Sequence, residues 1–356
     1  MTVPTDETSE RMMRTGQLLA QAGFGGSFAL VPLQGGANSK AFRVDLSSPN
    51  APLFLKEYFH HPDDPRDRLG TEFAFASFAW QHGLRMLAQP HVMNRETHSA
   101  LYGFLDGRKL APVEIGRSLI EACLHFLQAL NARKTSARQA NLPIASEACF
   151  CLNDHWQCLI RRIKRFEVIS PAADVDREAL DFVREELAPA CFAYLTSARE
   201  LAAVLRIEPD AMIADVDRCL SPSDFGFHNA LLSSTGTLSF LDFEYAGWDD
   251  PAKTVCDFFC QPACPAPLEY YPNFAVQVAA MTSDPGLHRN RFDLLLPMYR
   301  LKWCCIMLND FLPSGGSRRR FAIHNLDETT RKTNQLHKAR QALDRFWDER
   351  LTDLAA

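Results

Sequence analysis

The sequence predicts an α+β fold in two lobes, a small N-terminal antiparallel sheet with a helix followed by a larger, mainly helical C-terminal lobe. Three observations carry that reading. Short apolar runs separated by turn residues fill roughly the first hundred positions. From Val113 onward, long segments repeat apolar residues at helical spacing. Within that helical part, one hairpin gathers Asp224, Asn229 and Asp242 at one end.

The elements follow in order. Glu7 to Ala22 reads as a leading helix, with Met12, Leu18, Leu19 and Ala22 at helical spacing and Gly23 as its stop. Ser27–Leu33 and Ala41–Leu46 read as strands joined by a turn over Gln34–Lys40. Gly35 and Gly36 would let backbone amides come close to phosphate oxygens, with Asn38 and Ser39 as extra donors. A glycine pair is equally a good hairpin turn, and the residues alone do not decide. In the third strand, Pro52–Phe59, Lys56 stands among apolar neighbours and either snorkels to water or meets an anion. A helix over Arg68–Leu84, capped by Thr71 or the residues just before it and closed by Gly83, carries Glu72 in its first turns. His91–Asn94 and Ser99–Leu110 form a strand pair.

In the second lobe, Val113–Lys134 is a long amphipathic helix, and the stretch from Gln139 to Cys158 is irregular. Two helices follow over 176–187 and 190–205. Asp250 is a natural N-cap with Pro251 at the first helical position. Later helices include Asp293–Leu312 and a last one with Leu336, Ala339, Leu343 and Phe346 on one face.

Composition narrows the function. The 356 residues allow about two domains, and 47% apolar with 23% charged residues is ordinary for a globular protein. A net charge of −5 and no basic tract beyond Arg318–Arg320 argue against nucleic acid as a partner. No apolar stretch approaches the roughly 18 residues of a membrane span, and the polar N-terminus lacks the apolar core of a signal peptide. The expected compartment is the cytoplasm. Eleven irregularly spaced cysteines fit reduced thiols; Cys256, Cys260 and Cys264 do not read as a metal cluster, because Pro262 ends the helix between the last two.

The informative block is 221–257. Leu238–Phe243 is a short buried strand and Ala230–Leu232 its partner, turned by Ser233 to Gly236. Pairing them brings Asp224, Asn229 and Asp242 together. Mg²⁺ takes one or two carboxylates and completes its octahedron with phosphate oxygens and water, so this set suits a magnesium site with a spare base. In the protein-kinase template an Asp orients the attacking hydroxyl, an Asn five residues later binds metal, and so does the Asp of a following Asp-Phe-Gly. Asp224 and Asn229 have that step, and Asp242-Phe-Glu supplies the third group. The template also pairs a third-strand lysine with phosphates and with a helix glutamate, and Lys56 and Glu72 occur in that order. The plain alternative is a hairpin with solvated turn carboxylates.

These motifs resemble the aminoglycoside phosphotransferase and choline kinase-like family, small-molecule kinases with a protein-kinase-like fold. Its usual loop is His-Gly-Asp-x₄-Asn, and here Pro222-Ser223 replaces the His-Gly. That His is chiefly a scaffold, so its loss bears on loop geometry more than on chemistry. The resemblance implies ATP and Mg²⁺ as cofactors, with Asp224 orienting a hydroxyl and Asn229 and Asp242 holding the metal. Lys56, set by Glu72, would grip phosphates, and Gly35, Gly36, Asn38 and Ser39 would cover them. The hinge falls at Phe104–Gly107, so backbone groups near Tyr102 and Phe104 would bond adenine, and the domains would be 1–105 and 106–356. Asp257 would hold the backbone amides of the catalytic loop.

For the acceptor, Glu244, Trp248 and Asp249 lie beside the metal site, and Tyr299, Lys302, Trp303 and Asp310 lie on a helix of the kind that lines the family's acceptor cleft. Acidic residues would suit an amine, Lys302 and Trp303 a sugar or an anion, and the sequence does not choose. The expected function is ATP-dependent phosphorylation of a hydroxyl on an aminoglycoside, amino alcohol or sugar-like molecule, by a monomer or homodimer. The alternative, prompted by the missing His-Gly, is a weak or inactive pseudokinase-like binding protein. A protein kinase is disfavoured, since no Ala-Pro-Glu segment follows Asp242.

Overall fold

Alternation of side chains along the N-terminal strands decides what each face of the sheet can hold. A computed structural model describes residues 6–33, 39–47, 51–61, 64–312 and 327–355. Gly35, Gly36 and Asn38 therefore lie outside the described residues. Strands β1 (Phe28–Leu33), β2 (Ser39–Leu46), β3 (Leu53–Tyr58), β4 (Pro90–Asn94) and β5 (Ser99–Gly103) form one antiparallel sheet in the order β1-β2-β3-β5-β4. Phe42, Val44, Leu53, Leu55 and Leu101 point to one face and pack with Leu18 and Leu19 of α1 (Asp6–Gln21). Tyr58, Ala100 and Tyr102 point to the other and join Phe75, Ala76, Phe78 and Ala79 of α2 (Arg68–Gln81). Lys56 shares this second face by the same alternation. The N-cap of α2 is Asp67, which accepts from the Gly70 amide at 2.9 Å, and not Thr71.

The remainder is mostly helical: α3 (Arg117–Asn131), α4 (Lys134–Gln139), α5 (Leu152–Lys164), α6 (Asp174–Phe182), α7 (Ala188–Val204), α8 (Pro251–Cys260), α9 (Tyr271–Ala279), α10 (Pro285–Met307) and α11 (Glu328–Ala355). Hairpin β7 (Ala230–Leu232) with β8 (Leu238–Phe240) forms, its second strand stopping at Phe240 instead of running on to Phe243 as expected. It is tied to the first part of the chain where the Phe240 amide donates to Met86 O at 2.7 Å and the Leu232 amide to Arg108 O at 2.9 Å. Leu336, Ala339, Leu343 and Phe346 of α11 are buried, also as expected. Among the described residues no helix is long and apolar enough to cross a membrane.

Four expectations need correction. The stretch 139–158 is not irregular throughout: α5 starts at Leu152, capped by the Cys151 thiol and by Asp154, which accepts from the Phe150 amide. The helices over 176–187 and 190–205 are one run, because a π-turn at Val183–Leu187 bridges α6 and α7 ahead of Pro189. Helix α10 begins at Pro285 under an Asp284 cap, well before Asp293, and it carries Pro297 in its interior. Finally, the segment after Ala246 is not a plain turn: β9 (Gly247–Asp249) pairs with β6 (Cys219–Ser221). Gly247 is required there, since a Cβ would stand 2.3 Å from Pro143 O.

Asp250 joins this framework together. It caps α8 by accepting from the Ala252 amide at 2.8 Å, pairs with Arg291 of α10, and meets His155 Nε2 of α5 at 3.2 Å, all buried. Burial alone would raise its pKa, but Arg291 and His155 outweigh burial and hold the carboxyl well below the ordinary range. Asp250→Ala should therefore cost about 3–5 kcal/mol in urea denaturation, as an orphaned buried charge does. A depressed carboxylate stabilises the fold above its unfolded pKa of about 3.9 and loses that contribution as pH falls. The stability gap between wild type and Asp250→Ala should accordingly narrow between pH 7 and pH 3; an unchanged gap would exclude the ion pair as its source.

Candidate active site

The loop before β7 is held from below by aromatic rings. Phe225 and Phe227 are buried, Phe225 lying 4.8 Å from the Phe240 ring and 5.5 Å from Phe258, and Phe227 5.6 Å from Phe258. With these anchors inward, Asp224, His228 and Asn229 stay half-buried at the surface of the core. Asp224 accepts from His228 Nε2 at 3.1 Å and from Asn229 Nδ2 at 3.2 Å. Asn229 also donates to the Asp224 carbonyl at 3.0 Å, which leaves its own amide oxygen for another partner. Burial pushes the Asp224 carboxyl up, but the His228 and Asn229 hydrogen bonds prevail and hold it below the usual carboxylate value.

Asp242 follows β8 in the left-handed region, at φ 67°. Such a conformation costs of order 1–2 kcal/mol outside glycine and marks an over-determined position. What determines it is Lys56, whose Nζ lies 2.6 Å from Asp242 Oδ1 and 2.6 Å from Glu72 Oε2. Burial works against the ammonium, yet Asp242 and Glu72 hold its pKa well above that of free lysine. Among the described residues, Glu72, Asp242 and Glu244 offer carboxylate oxygens within 4.8 Å of one another. Glu244 is buried behind Asp242, 3.5 Å from Arg68 Nε; burial, then repulsion from Asp242, raises its carboxyl to about 7.

Two cavities meet at this loop. The larger, about 370 Å³, is lined by Ser39, Lys56, Glu72, Tyr102, Phe104, Asn229 and Asp242 among others. The second, about 230 Å³, is lined by Asp224, Asp257, Lys302 and Trp303 together with Arg66, Glu147, Arg162, Arg165 and Lys253. The Asp224–Asn229 hydrogen bond joins the two walls. The first cavity gathers hard oxygen donors, Asp242 and the Asn229 amide oxygen, beside a buried lysine. That donor set fits Mg²⁺ carried by a polyphosphate.

Other expected residues go elsewhere. Trp248 lines neither cavity; it is locked in β9, its amide on Pro143 O at 2.9 Å and its ring under the Arg138 guanidinium at 5.1 Å. Asp249 is fully buried, accepts from the Cys149 and Asp250 amides and pairs with Lys253. Glu244 also lines neither cavity. Tyr299 is buried against His155, and Asp310 pairs with Arg331 of α11, so neither faces an acceptor. Asp257 does not hold loop amides. It accepts from Lys302 Nζ at 2.9 and 3.0 Å and from Trp303 Nε1 at 3.0 Å, because its place on α8 turns it toward α10. Thr254 and Lys253 of α8 reach the loop: Thr254 bonds to Ser221 Oγ at 2.9 Å, which in turn accepts from the Ser223 amide at 3.0 Å, and Lys253 Nζ lies 3.4 Å from Ser223 Oγ. The amides of Gly103 and Phe104, expected near adenine, are taken by Gln89 O and Pro52 O.

Sequence reasoning missed His228, whose only signal was a titratable ring next to Asn229. It also missed Arg162 and Arg165, which no motif in the sequence marks.

A family model for the phosphotransferase enzyme family matches residues 29–280, well over half of the chain. The chain belongs to that family and is, by that membership, a small-molecule kinase. Among solved structures, an ethanolamine kinase from Plasmodium vivax matches with a TM-score of 0.59 at 13% identity, covering 95% of this chain and 90% of that one. Spectinomycin phosphotransferase in complex with ADP and spectinomycin matches at 0.59 and 12%, covering 94% and 97%. A choline kinase from Streptococcus pneumoniae matches at 0.54 and 14%, covering 94% and 99%. These likenesses establish the protein-kinase-like fold. A comparison with curated proteins finds no match.

Lys56 tests the buried charge cluster directly. Lys56→Met should destabilise the fold by about 3–5 kcal/mol in urea denaturation, since buried Glu72 and half-buried Asp242 lose their counter-ion. Glu72→Gln should cost at least about 1 kcal/mol less in the Lys56→Met background than alone. Additive losses would mean the two side chains are not coupled.

Proposed function

We propose that this protein transfers the γ-phosphoryl group of ATP to a hydroxyl of a small molecule. The observation that carries the reading is the Asp224–Asn229 contact at the junction of two cavities, one of them holding Lys56, Glu72 and Asp242. The family, and the ADP held in the spectinomycin phosphotransferase complex, support a nucleotide in the larger cavity. Asn229 and Asp242 would hold Mg²⁺, which supplies charge neutralisation on the phosphate oxygens.

Each side chain then has a task set by its chemistry. Asp224, ionised at neutral pH, accepts a hydrogen bond from the acceptor hydroxyl and aims its oxygen at phosphorus. Lys56, positioned by Glu72, carries positive charge to the phosphates. By the family resemblance, Gly35, Gly36, Asn38 and Ser39 would cover them with backbone amides. Phosphoryl transfer passes through a loose transition state in which positioning and electrostatics supply most of the catalysis, so no covalent intermediate is required. We place the lobe boundary at residues 105/106, beside the cavity wall formed by Tyr102 and Phe104. The missing His-Gly does not favour a binding-only protein, because His228 and Asn229 hold Asp224 without it.

The test pairs turnover with binding. Mg-ATP at 100 times its Kd should stabilise the fold by about 2.7 kcal/mol in thermal unfolding. Asp224→Asn should keep that stabilisation while ADP release with a hydroxyl acceptor falls about 10²–10⁴-fold. Asp242→Ala should lose most of the Mg-ATP stabilisation itself. Wild-type turnover in either variant would remove these roles, and no Mg-ATP stabilisation of the wild type would remove the reading.

A further inference from the structure

Among the described residues, two cations line the larger cavity, Lys56 and Lys109. Lys56 is already shared between Glu72 and Asp242, the two carboxylates of the same lining. Lys109 has no carboxylate within ion-pair distance among the described residues. The hydrogen bond its side chain makes there goes to a neutral group, Nζ donating to the His228 carbonyl at 2.7 Å. Its neighbour shows the contrast, since the Arg108 guanidinium is paired with Glu114. An ammonium has three N–H donors, so two of those on Lys109 remain open to water or a ligand.

Backbone pairing sets where this lysine stands. The Arg108 amide donates to Leu232 O at 3.0 Å and the Leu232 amide to Arg108 O at 2.9 Å, which pins residue 108 to β7. Lys109 then reaches the carbonyl of His228, the residue immediately before Asn229. Although the residue is exposed overall, desolvation of its ammonium end holds the pKa below that of free lysine, and the charge of Asp242 acts against that desolvation. The ammonium therefore lies on the Asn229 and Asp242 side of the cavity, with less counter-charge than Lys56 has. An anion arriving on that side would supply what is missing.

We propose that Lys109 is a second phosphate-holding cation of the nucleotide site, kept in place by the His228 carbonyl and donating its remaining N–H groups to the polyphosphate of Mg-ATP. The inference rests on the phosphotransferase reading and adds a binding residue to it. Hydrogen bonds between an ammonium and a phosphate are roughly twice as strong as neutral ones, so the open donors of Lys109 gain more from the nucleotide than from water. Lys56 reaches the cavity from β3 and Lys109 from beyond the 105/106 boundary, so the phosphates are gripped from both sides of that boundary. Because Lys109 also bonds the loop that carries Asp224 and Asn229, one side chain ties the nucleotide to that loop.

The experiment is titration calorimetry of Mg-ATP and of adenosine, without any acceptor, on the wild type, Lys109→Met, Lys109→Gln and Lys109→Arg. The site is exposed, so folding should survive each change, and two neutral variants guard against the loss of one. Lys109→Met and Lys109→Gln should each raise the Kd of Mg-ATP about tenfold or more, while that of adenosine stays within about twofold. Lys109→Arg, which keeps the charge and the donors, should hold Mg-ATP within about threefold of the wild type. An unchanged Mg-ATP Kd in the neutral variants overturns the inference and leaves the phosphotransferase reading standing. Equal losses for Mg-ATP and adenosine do the same, since the lysine would then only brace the cavity through His228 O, and so does a loss that arginine fails to restore. A wild type that does not bind Mg-ATP overturns that reading and the inference with it.

Discussion

A lysine ammonium with no access to water must have carboxylates around it, and much of this structure follows from satisfying Lys56. Taking such a charge out of solvent costs several kcal/mol unless partners are in place. Glu72 brings α2 against β3, and Asp242 brings the end of the β7–β8 hairpin up to the same point, so one side chain ties together three elements distant in sequence. Asp242 reaches it only from left-handed backbone. Glu244, close behind with its carboxyl raised to about 7, has Arg68 beside it. A divalent cation would share Asp242 with the lysine that already holds it.

The catalytic loop shows how one scaffold can replace another. A loop with His-Gly before its Asp is held by those residues; here the work passes to packing and to hydroxyls. Phe225 and Phe227 sink into a stack of rings that includes Phe126, Phe240, Phe258 and Phe274. Such aromatic contacts add about 0.5–1.5 kcal/mol per pair beyond area burial. Thr254 and Ser221 fix the loop's entry, and His228 and Asn229 fix the carboxylate itself. Ser223, immediately before Asp224, is also left-handed at φ 67°, so the two acidic groups of the site both sit at or beside strained backbone.

What could be read from the chain was whatever depends on local pattern. The β7–β8 hairpin, the Asp250 cap and the apolar stripe of α11 follow from turn chemistry and periodicity, and the order of Lys56, Glu72 and Asp242 from a template. What could not be read depends on partners distant in sequence. Strands β6 and β9 are three residues each, too short to show a period, and they exist because residues 143–145 close over Gly247. Trp248 and Asp249 looked like acceptor groups by proximity in sequence, yet strand pairing turns them into the core. Asp257 lies about one helical turn from Lys253 and Thr254 on α8, and only the packing of α10 reveals that it turns away while they reach the loop. Arg162 and Arg165 carry no local signal at all.

The contacts that fix Asp224 have a chemical consequence for it. The hydrogen bonds from His228 and Asn229, and to a lesser extent the charge of Lys302, lower the basicity of this carboxylate. In a reaction that needed early proton abstraction this would be a penalty, since a general base works best with a pKa near the operating pH. A loose phosphoryl transfer makes a smaller demand. The hydroxyl must be oriented and its proton given a destination late, after most of the bond to the leaving oxygen has lengthened. A carboxylate kept ionised by its surroundings and fixed by two hydrogen bonds meets that demand.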